Sequence, residues 1–309
     1  MVLKIIFMGT PDFAVPILKS INESNHKILE VYTQPPNKKN RGQKKYSSPI
    51  HQYSDQMKLK VRHPVTLDSE EEIKYLSDLN PDIVVVVAYG KILPSKLLNF
   101  KNILFINIHA SLLPKWRGAA PIHRSIMSLD GETGISIMKI IPKLDAGPVM
   151  LASKVKIQKE TNFEDLSKKL SILGSKMIIK SLDLIMNGKA KFIPQNESNA
   201  SYAKKINKEE AKIDWNVSAK LVISKINALN PNPGTWFELN GKRVKITKAI
   251  EIKEMGRPGV ILNKNFTIAC SENAVQILEL QREGKQKMKA KDFLIGNKLK
   301  VGVSINSDV

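Results

Sequence analysis

A continuous run of apolar, mostly β-branched residues occupies positions 83–88, with the sequence IVVVVA. Such a run is typical of a strand buried on both faces, and parallel sheets need such strands because helices cover both of their faces. Further apolar runs occur at positions 3–8 and 103–108, and helical patterns lie between the runs. This alternation predicts an α/β domain with a doubly wound, mostly parallel sheet.

The chain has 309 residues, which is enough for two domains. A Thr161-x-x-Glu164 capping box predicts a helix that ends near Gly188, so we expect the first domain to span residues 1–189. Asn, Ser, Lys and Glu dominate the next stretch, and we expect residues 190–212 to be a linker. Short strand patterns with glycine turns then predict a small β-barrel domain at residues 213–309.

The composition is strongly basic, with a formal net charge of +20. This excess favours a polyanionic partner, usually a nucleic acid, although a lysine-rich solvated surface gives the same composition. Cys270 is the only cysteine, which excludes an intrachain disulfide and favours a reducing, cytoplasmic compartment. We find no secretory leader pattern and no apolar run long enough to cross a membrane, so no membrane role is expected.

Two polar residues, Asn107 and His109, follow the apolar run at positions 103–106. Residues two apart on a strand point to the same face, so their side chains are expected to lie side by side. Polar groups at the end of a buried strand are costly unless they are paired or used. Open α/β sheets bind ligands at the carboxyl ends of their strands, so this pair is a candidate site.

Asp145 is the candidate partner of this pair, because it follows another predicted strand, at positions 136–140. A neighbouring carboxylate favours the protonated imidazole, and an asparagine can donate a hydrogen bond to a developing oxyanion. The three groups suit transfer of a carbonyl group to an amine better than ester hydrolysis, since no Gly-x-Ser-x-Gly motif occurs. The alternative is that His109 is a buried structural residue and Asp145 only a turn residue.

A long basic segment follows the second predicted strand, at positions 33–49, with the sequence TQPPNKKNRGQKKYSSP. Long loops in compact domains are usually functional or disordered. We expect this one to bind nucleic acid; a disordered, solvated loop is the alternative. The candidate nucleic-acid ligands are the basic side chains Lys38, Lys39, Arg41, Lys44 and Lys45.

Six motifs in order resemble the methionyl-tRNA formyltransferase family. They are MGTPDFAVPIL, TQP…RGQKK…SP, AYGKILP, NIHASLLPKWRGAAPI, ETGISIMKIIPKLDAGP and LQREGK…M…DFLIG, which together extend from residue 4 to about 296. The resemblance implies transfer of the formyl group of 10-formyltetrahydrofolate to the α-amino group of methionyl initiator tRNA. It also implies a Rossmann-like catalytic domain, a carboxyl-terminal OB-like barrel that binds tRNA, no metal, and a cytoplasmic enzyme, which we expect to be a monomer.

Site residues follow from the same resemblance. The family's catalytic groups fall on Asn107, His109 and Asp145, and Arg41 matches a loop residue that enters the acceptor end of the tRNA. The implied folate-binding residues are Ser111, Leu112, Leu113, Pro114, Tyr89, Gly90 and Phe13. In the implied mechanism, Asn107 and protonated His109 hydrogen-bond the formyl oxygen while Asp145 orients His109.

The sequence departs from the family pattern after the linker. Family members often have Ile-Arg and Pro-Trp-Pro where this chain has Ile226-Asn227 and Pro231-Asn232-Pro233. Two alternatives to the implied function remain: the same chemistry on a small amine, such as a purine precursor or a nucleotide sugar, and a non-catalytic RNA-binding protein on this scaffold. The basic loop and barrel argue against the first, and the intact Asn-x-His and Asp argue against the second.

Overall fold

The computed structural model describes residues 2–39, 44–239, 241–297 and 300–305. The chain divides into two compact units. The first unit consists of Met1–Pro121, Thr133–Val155 and Ser167–Ala203. The second consists of Ile122–Glu132, Lys156–Leu166 and Lys204–Val309. Within the described ranges, no helix has both the length and the apolar character that are needed to cross a membrane.

The part of the chain before residue 204 alternates between strands and helices. Its strands are Lys4–Gly9 (β1), Lys27–Tyr32 (β2), Asn37–Lys39 (β3), Lys44–Tyr46 (β4), Val61–Arg62 (β5), Ile83–Val87 (β6), Leu104–His109 (β7), Arg117–Gly118 (β8), Glu132–Lys139 (β9), Val149–Lys156 (β10) and Tyr202–Ala203 (β11). Its helices are Val15–Asn22 (α1), Pro49–Gln56 (α2), Glu70–Asp78 (α3), Ser95–Leu98 (α4), Pro121–Met127 (α5) and Phe163–Met186 (α6).

The main sheet has seven strands in the order β10-β9-β7-β6-β1-β2-β5. The pairs from β7 to β5 are parallel, and β9 is antiparallel to β7. All five residues of β6 are buried, as the apolar run predicted. The predicted α/β class with a Rossmann-like, mostly parallel sheet is therefore confirmed.

The carboxyl ends of the central strands meet at one edge of this sheet. Gly9 of β1 pairs with Val87 of β6, and Val86 pairs with Asn107 of β7. The turns after β1, β6 and β7 therefore lie next to one another, because parallel strands end on the same side. Ligands of open α/β sheets bind at this edge.

The long helix α6 starts differently from the prediction. Asn162 caps it, since its Oδ1 accepts a hydrogen bond from the backbone N–H of Asp165 at 2.9 Å. The hydroxyl of Thr161 instead accepts from the backbone N–H of Gln158 at 2.9 Å, so the expected Thr161–Glu164 capping box is wrong. Gly188 has φ +65 beyond the last turn, which is the helix stop that the sequence predicted.

The second unit contains the expected β domain. Its strands are Trp236–Leu239 (β12), Lys242–Ile252 (β13), Ile261–Asn263 (β14), Thr267–Ala269 (β15), Ala274–Arg282 (β16) and Lys287–Lys289 (β17), and its helices are Ala219–Leu229 (α7) and Ala290–Gly296 (α8). The strands pair antiparallel in the order β12-β13-β16-β15-β14, and β17 joins β16. In the core of this OB-like sheet, the ring of Phe237 meets the rings of Trp215 and Phe266 edge to face, and Phe266 stacks on Phe293.

His123 on α5 stacks on the ring of Phe163, with 4.2 Å between the ring centroids. Burial, and to a lesser extent the charge of Arg124, lowers the pKa of His123 to about 4. The unfolded chain binds this proton near pH 6.5, so the contribution of His123 to stability is complete above that pH and is lost as the pH falls towards 4. We expect this group to remove about 2 kcal/mol of folding stability between pH 7 and pH 5.

Urea unfolding of the wild type and of His123→Phe at pH 7 and pH 5 checks this expectation. Phenylalanine keeps the ring stack and cannot bind a proton, so the variant should lose less stability on acidification than the wild type. Equal losses in the two proteins would show that His123 does not titrate in this way.

Candidate active site

The structure brings the three predicted catalytic side chains together at the end of β7. Asn107 Nδ2 donates to Asp145 Oδ1 at 3.2 Å, and His109 Nδ1 lies 3.6 Å from Asp145 Oδ2. Asn107 and His109 reach the same carboxylate because residues two apart on a strand share a face. A carboxylate thus bridges an amide and an imidazole at the sheet edge where ligands bind.

Asp145 reaches this position through the turn that follows β9. β9 is antiparallel to β7, so Lys139 at its end pairs with Ile106, before the polar pair rather than beside it. The turn between β9 and β10 then places Asp145 against Asn107. The backbone of Asp145 has φ +45, and its Oδ2 accepts from the backbone N–H of Gly118 at 2.8 Å.

The imidazole of His109 is held on both nitrogens. Its Nε2 lies 2.8 Å from the backbone carbonyl of Trp116, and its Nδ1 faces Asp145. A carbonyl and a carboxylate can only accept hydrogen bonds, so each ring nitrogen of His109 faces an acceptor. His109 is only 5% exposed, so a substrate oxygen that bonds to Nε2 has to replace the Trp116 carbonyl.

The turn after β7 contains the expected folate-binding residues Ser111, Leu112, Leu113 and Pro114. The Ser111 hydroxyl is buried and donates to the Lys115 carbonyl at 2.5 Å. The apolar residues of the turn are half-buried, so they can offer a surface to a flat ring.

Ser136 on β9 fixes this turn, and the sequence reasoning missed it. Its buried hydroxyl donates to the Ser111 carbonyl at 2.7 Å and accepts from the backbone N–H of Leu113 at 3.0 Å. The signal in the sequence was a hydroxyl between the apolar residues Ile135 and Ile137, which is costly to bury unless it is hydrogen-bonded.

The other expected folate-binding residues follow β1 and β6. Phe13 is half-buried in the turn after β1, and its carbonyl accepts from Ser171. The side chain of Tyr89 points into the core and is 1% exposed, and burial raises the pKa of its phenol to about 12. The Tyr89 carbonyl accepts from Thr10 at 2.9 Å and from Gln34 at 3.0 Å. The phenol of Tyr89 therefore lies in the core rather than at the sheet edge.

Gly90 follows Tyr89 with φ +80, and a Cβ there would come within 2.3 Å of Gln34 Nε2. Gly90→Ala should strain the backbone and displace Gln34 from the Tyr89 carbonyl. We expect the KM for the folate to rise about 10-fold, with a loss of stability of about 1–2 kcal/mol, because a Cβ in the left-handed region costs that much.

Steady-state kinetics and urea unfolding of Gly90→Ala measure these effects. Gly131→Ala is the matched control, since a Cβ there meets nothing within 4 Å and the position is exposed. An unchanged KM for the folate in Gly90→Ala would show that this turn is not part of the folate site.

The basic segment forms a hairpin rather than an unpaired loop. β3 and β4 pair antiparallel, with Lys38 opposite Lys45 and Lys39 opposite Lys44, and Arg41 lies outside the described residues. At the base of the hairpin, the hydroxyl of Thr33 before β3 and that of Ser48 after β4 are 2.6 Å apart. Gln34, just before β3, bonds to the backbone after β6, so the hairpin begins at the carboxyl edge of the sheet.

Residues 190–203 of the expected linker lie in the first unit. Gln195 in this segment bonds to the Asp145 carbonyl at 2.9 Å, and Ser201 accepts from the backbone N–H of Trp116 at 3.0 Å. Neither residue was predicted, because a polar composition alone does not distinguish a linker from a segment whose polar groups form hydrogen bonds with the rest of the protein.

Two family models match the chain. The one described as "Formyl transferase" matches residues 3–182, and the one described as "Formyl transferase, C-terminal domain" matches residues 205–298. The methionyl-tRNA formyltransferase of Pelagibacter ubique (strain HTCC1062) is 48% identical over 306 residues, covering 98% of this chain and 99% of that protein. The methionyl-tRNA formyltransferase of Parvibaculum lavamentivorans is 42% identical, covering 98% of this chain and all of that protein.

Solved structures with 20% sequence identity or less share the fold. A sugar 3N-formyl transferase, WlaRD, superposes with a TM-score of 0.66 at 20% identity and covers 93% of this chain and 100% of its own. HypX from Aquifex aeolicus, in complex with tetrahydrofolic acid, superposes with a TM-score of 0.66 at 18% identity. That match covers 95% of this chain and 47% of HypX. From the family models and the full-length relatives together, this chain belongs to the methionyl-tRNA formyltransferase family.

Proposed function

We infer that this chain transfers the formyl group of 10-formyltetrahydrofolate to the α-amino group of methionyl initiator tRNA. The observation that supports this most is the Asn107–His109–Asp145 arrangement at the carboxyl edge of the sheet, in a chain similar over its full length to methionyl-tRNA formyltransferases. The product, formylmethionyl-tRNA, serves translation initiation.

The formyl carbonyl becomes an oxyanion when the amine adds to its carbon. Asn107 Nδ2 has two hydrogens; one is donated to Asp145, and we assign the other to this oxygen. The imidazolium of His109 adds positive charge beside it, whether or not Nε2 leaves the Trp116 carbonyl. A fixed donor and a charge in a half-buried site stabilise an oxyanion without reorganisation.

Asp145 has two roles in this mechanism. Its carboxylate fixes Asn107 and His109 in place. It also accepts, through water, the proton that the attacking amine loses. This proton then passes to the tetrahydrofolate nitrogen as the bond between that nitrogen and the formyl carbon breaks, so that tetrahydrofolate leaves and the formyl group stays on the amine. The Gly118 N–H and the two side chains hold the carboxylate, so its orientation is set before substrate binds.

The residues at the sheet edge fit the folate. Leu112, Leu113 and Pro114 present a half-buried apolar surface shortly after His109, and the exposed backbone of Gly90 follows the neighbouring strand β6. A flat heteroaromatic ring needs this combination of apolar contact and a few polar partners. When bound, 10-formyltetrahydrofolate supplies the activated formyl group, and the residues of this edge orient it.

We assign the amine acceptor from the positive charge of the hairpin, and the fold of the second unit is compatible with this assignment. The basic hairpin begins at the same edge as the catalytic groups, and the second unit contains the OB-like sheet, a fold that binds single-stranded nucleic acids. A small-amine acceptor has no polyanionic chain for the basic hairpin to bind, whereas the second unit is compatible with either acceptor, since the match to the sugar 3N-formyl transferase covers 93% of this chain. We further propose that the enzyme acts as a monomer in the cytoplasm, which the single buried cysteine suits.

One assay separates the possible functions. The protein is incubated with 10-formyltetrahydrofolate and either methionyl initiator tRNA, an amino-sugar nucleotide or a purine precursor, and release of tetrahydrofolate is followed. We expect release only with the charged tRNA. Release with a small amine alone would support the alternative acceptor, and tRNA binding without release would indicate a non-catalytic RNA-binding protein.

A further inference from the structure

The side-chain amide of Gln195 connects the Asp145 turn to a buried arginine. Its Nε2 donates to the carbonyl of Asp145 at 2.9 Å and to the carbonyl of Gly147 at 2.7 Å. Its Oε1 accepts from Arg117 Nε at 3.0 Å and from Arg117 Nη2 at 2.9 Å. Both carbonyls flanking the turn are therefore bonded to one amide group.

The partners of Gln195 determine which side chain can occupy its position. Carbonyls only accept hydrogen bonds and a guanidinium only donates them, so the residue between them has to do both. A glutamate would accept from Arg117 but could not donate to the carbonyls. An apolar residue would leave the fully buried Arg117 without two of its bonds.

Arg117 is itself fixed by a second partner. Its Nη1 and Nη2 donate to the two carboxylate oxygens of Glu197 at 3.1 and 2.9 Å. Hydrogen bonds from Arg117 and Lys143 lower the pKa of Glu197 to about 2, so this carboxylate stays charged throughout the working pH range. The guanidinium thus presents its remaining donors to Gln195 in a fixed direction.

The turn that Gln195 holds is closely packed and has an uncommon backbone conformation. Asp145 has φ +45, a backbone conformation that residues other than glycine rarely adopt. A Cβ at Gly147 would lie 1.8 Å from the Lys139 carbonyl, so the turn packs directly on the end of β9. The two bonds from Gln195 to the carbonyls of Asp145 and Gly147 stabilise this backbone.

The same chain segment also holds the loop after β7. The backbone N–H of Arg117 donates to the Ser201 carbonyl at 2.9 Å, and β11 pairs in parallel with β8. That loop supplies the Trp116 carbonyl that bonds to His109 and the Gly118 N–H that bonds to Asp145. Residues 193–203 therefore contact both loops that place the catalytic groups.

We propose that Gln195, oriented by Arg117, is a positioning residue that fixes the Asp145 turn in the geometry required for formyl transfer. The proposal rests on the proposed function, since turnover is its readout. Gln195 contacts no reacting atom; it acts through the backbone of Asp145. Its loss should therefore lower kcat without changing substrate binding, because a misplacement of about 1 Å in a catalytic group can cost about 100-fold in rate.

Two substitutions test the donor and the acceptor of the amide. Gln195→Glu keeps the acceptor for Arg117 and removes the donor to the two carbonyls, and Gln195→Leu removes both. We expect each to lower kcat by about 10- to 100-fold, while the KM for the folate and for the tRNA stays within about twofold. Ser198→Ala, an exposed hydroxyl in the same segment, is the control and should retain wild-type kcat.

A double-mutant cycle distinguishes positioning of Asp145 from a general structural role. In the Asp145→Ala background, Gln195→Glu should cost nothing further in kcat, because the group it positions is gone. Wild-type kcat in Gln195→Glu, an additive loss in the double variant, or a loss confined to KM would each overturn the proposal. If the wild type itself formylated no tRNA, the proposed function would fail instead, so the two failures are distinguishable.

Discussion

Replacing Asn107 with alanine should lower the turnover of formyl transfer by about 10²–10³-fold, because the loss of one oxyanion donor typically costs that much. The substitution leaves β7 intact, since Asn107 is half-buried and its backbone pairs with Val86 and Met138 on the two sides. The loss should therefore appear in kcat, with the KM for both substrates nearly unchanged. That pattern is typical of an interaction made only in the transition state.

The neighbouring substitutions should give losses of similar size for different reasons. His109→Ala removes the positive charge beside the oxyanion, and Asp145→Ala removes the acceptor of the amine proton and frees Asn107 and His109 to move. Because the three side chains act as a unit, the triple variant should lose much less than the product of the single losses. Additive losses would contradict a single catalytic unit.

Steady-state formylation assays measure these effects, and circular dichroism checks that each variant is folded. Asn99→Ala is the matched control, since it removes an exposed asparagine side chain from the same unit. It should retain wild-type turnover. Wild-type turnover in Asn107→Ala would show that Asn107 does not stabilise the oxyanion.

Arg41→Ala should raise the KM for the charged tRNA by about 10-fold or more, because a hydrogen bond to a charged group is worth roughly 1.5–3 kcal/mol. The KM for the folate should not change, since the proposed folate site lies in the turns after β1, β6 and β7. If Arg41 contacts a phosphate, the slope of log affinity for tRNA against log salt should also decrease by about one.

The lysines of the hairpin should act in the same direction. Lys44→Ala combined with Lys45→Ala should weaken tRNA binding and reduce its salt dependence. The paired control is Lys176→Ala with Lys180→Ala, which removes the same charge from exposed positions on α6. If both pairs weaken tRNA binding equally, the effect is one of net charge, and the hairpin has no specific role.

The sequence predicted the parts of the fold that depend on local periodicity. The uninterrupted apolar run of β6 and the i, i+2 spacing of Asn107 and His109 determine which strands are buried and which side chains share a face. The motifs in order also predicted the family, which the full-length relatives confirm. Both kinds of evidence depend on residues that are close in the chain.

The path of Asp145 could not be predicted in this way. The sequence indicated that the strand before Asp145 could share a sheet with β7, but not that β9 is antiparallel to β7 and that the turn after it brings Asp145 back. Strand direction depends on long-range pairing, and the sequence between β7 and β9 does not determine it. The φ of +45 at Asp145 is a further consequence of contacts distant in the chain.

Gln195 illustrates a second limit. A segment rich in Asn, Ser, Lys and Glu is typical of a linker, and nothing local distinguishes one whose amide bonds to Arg117 and Asp145, 78 and 50 residues away. The basic segment shows the same limit, since its β3–β4 pairing was not evident from a sequence with proline and glycine punctuation. In both cases partners distant in the fold determine the structure of polar residues.

The most direct test is formation of formylmethionyl-tRNA in one reaction that contains 10-formyltetrahydrofolate, methionyl initiator tRNA and an amino-sugar nucleotide at equal concentrations. Mass spectrometry of the nuclease-digested tRNA and of the sugar nucleotide identifies the formylated amine. The account predicts formyl groups on methionine with the wild type and almost none with Asn107→Ala. Formylation of the sugar nucleotide alone, or equal yields from the two proteins, would contradict it.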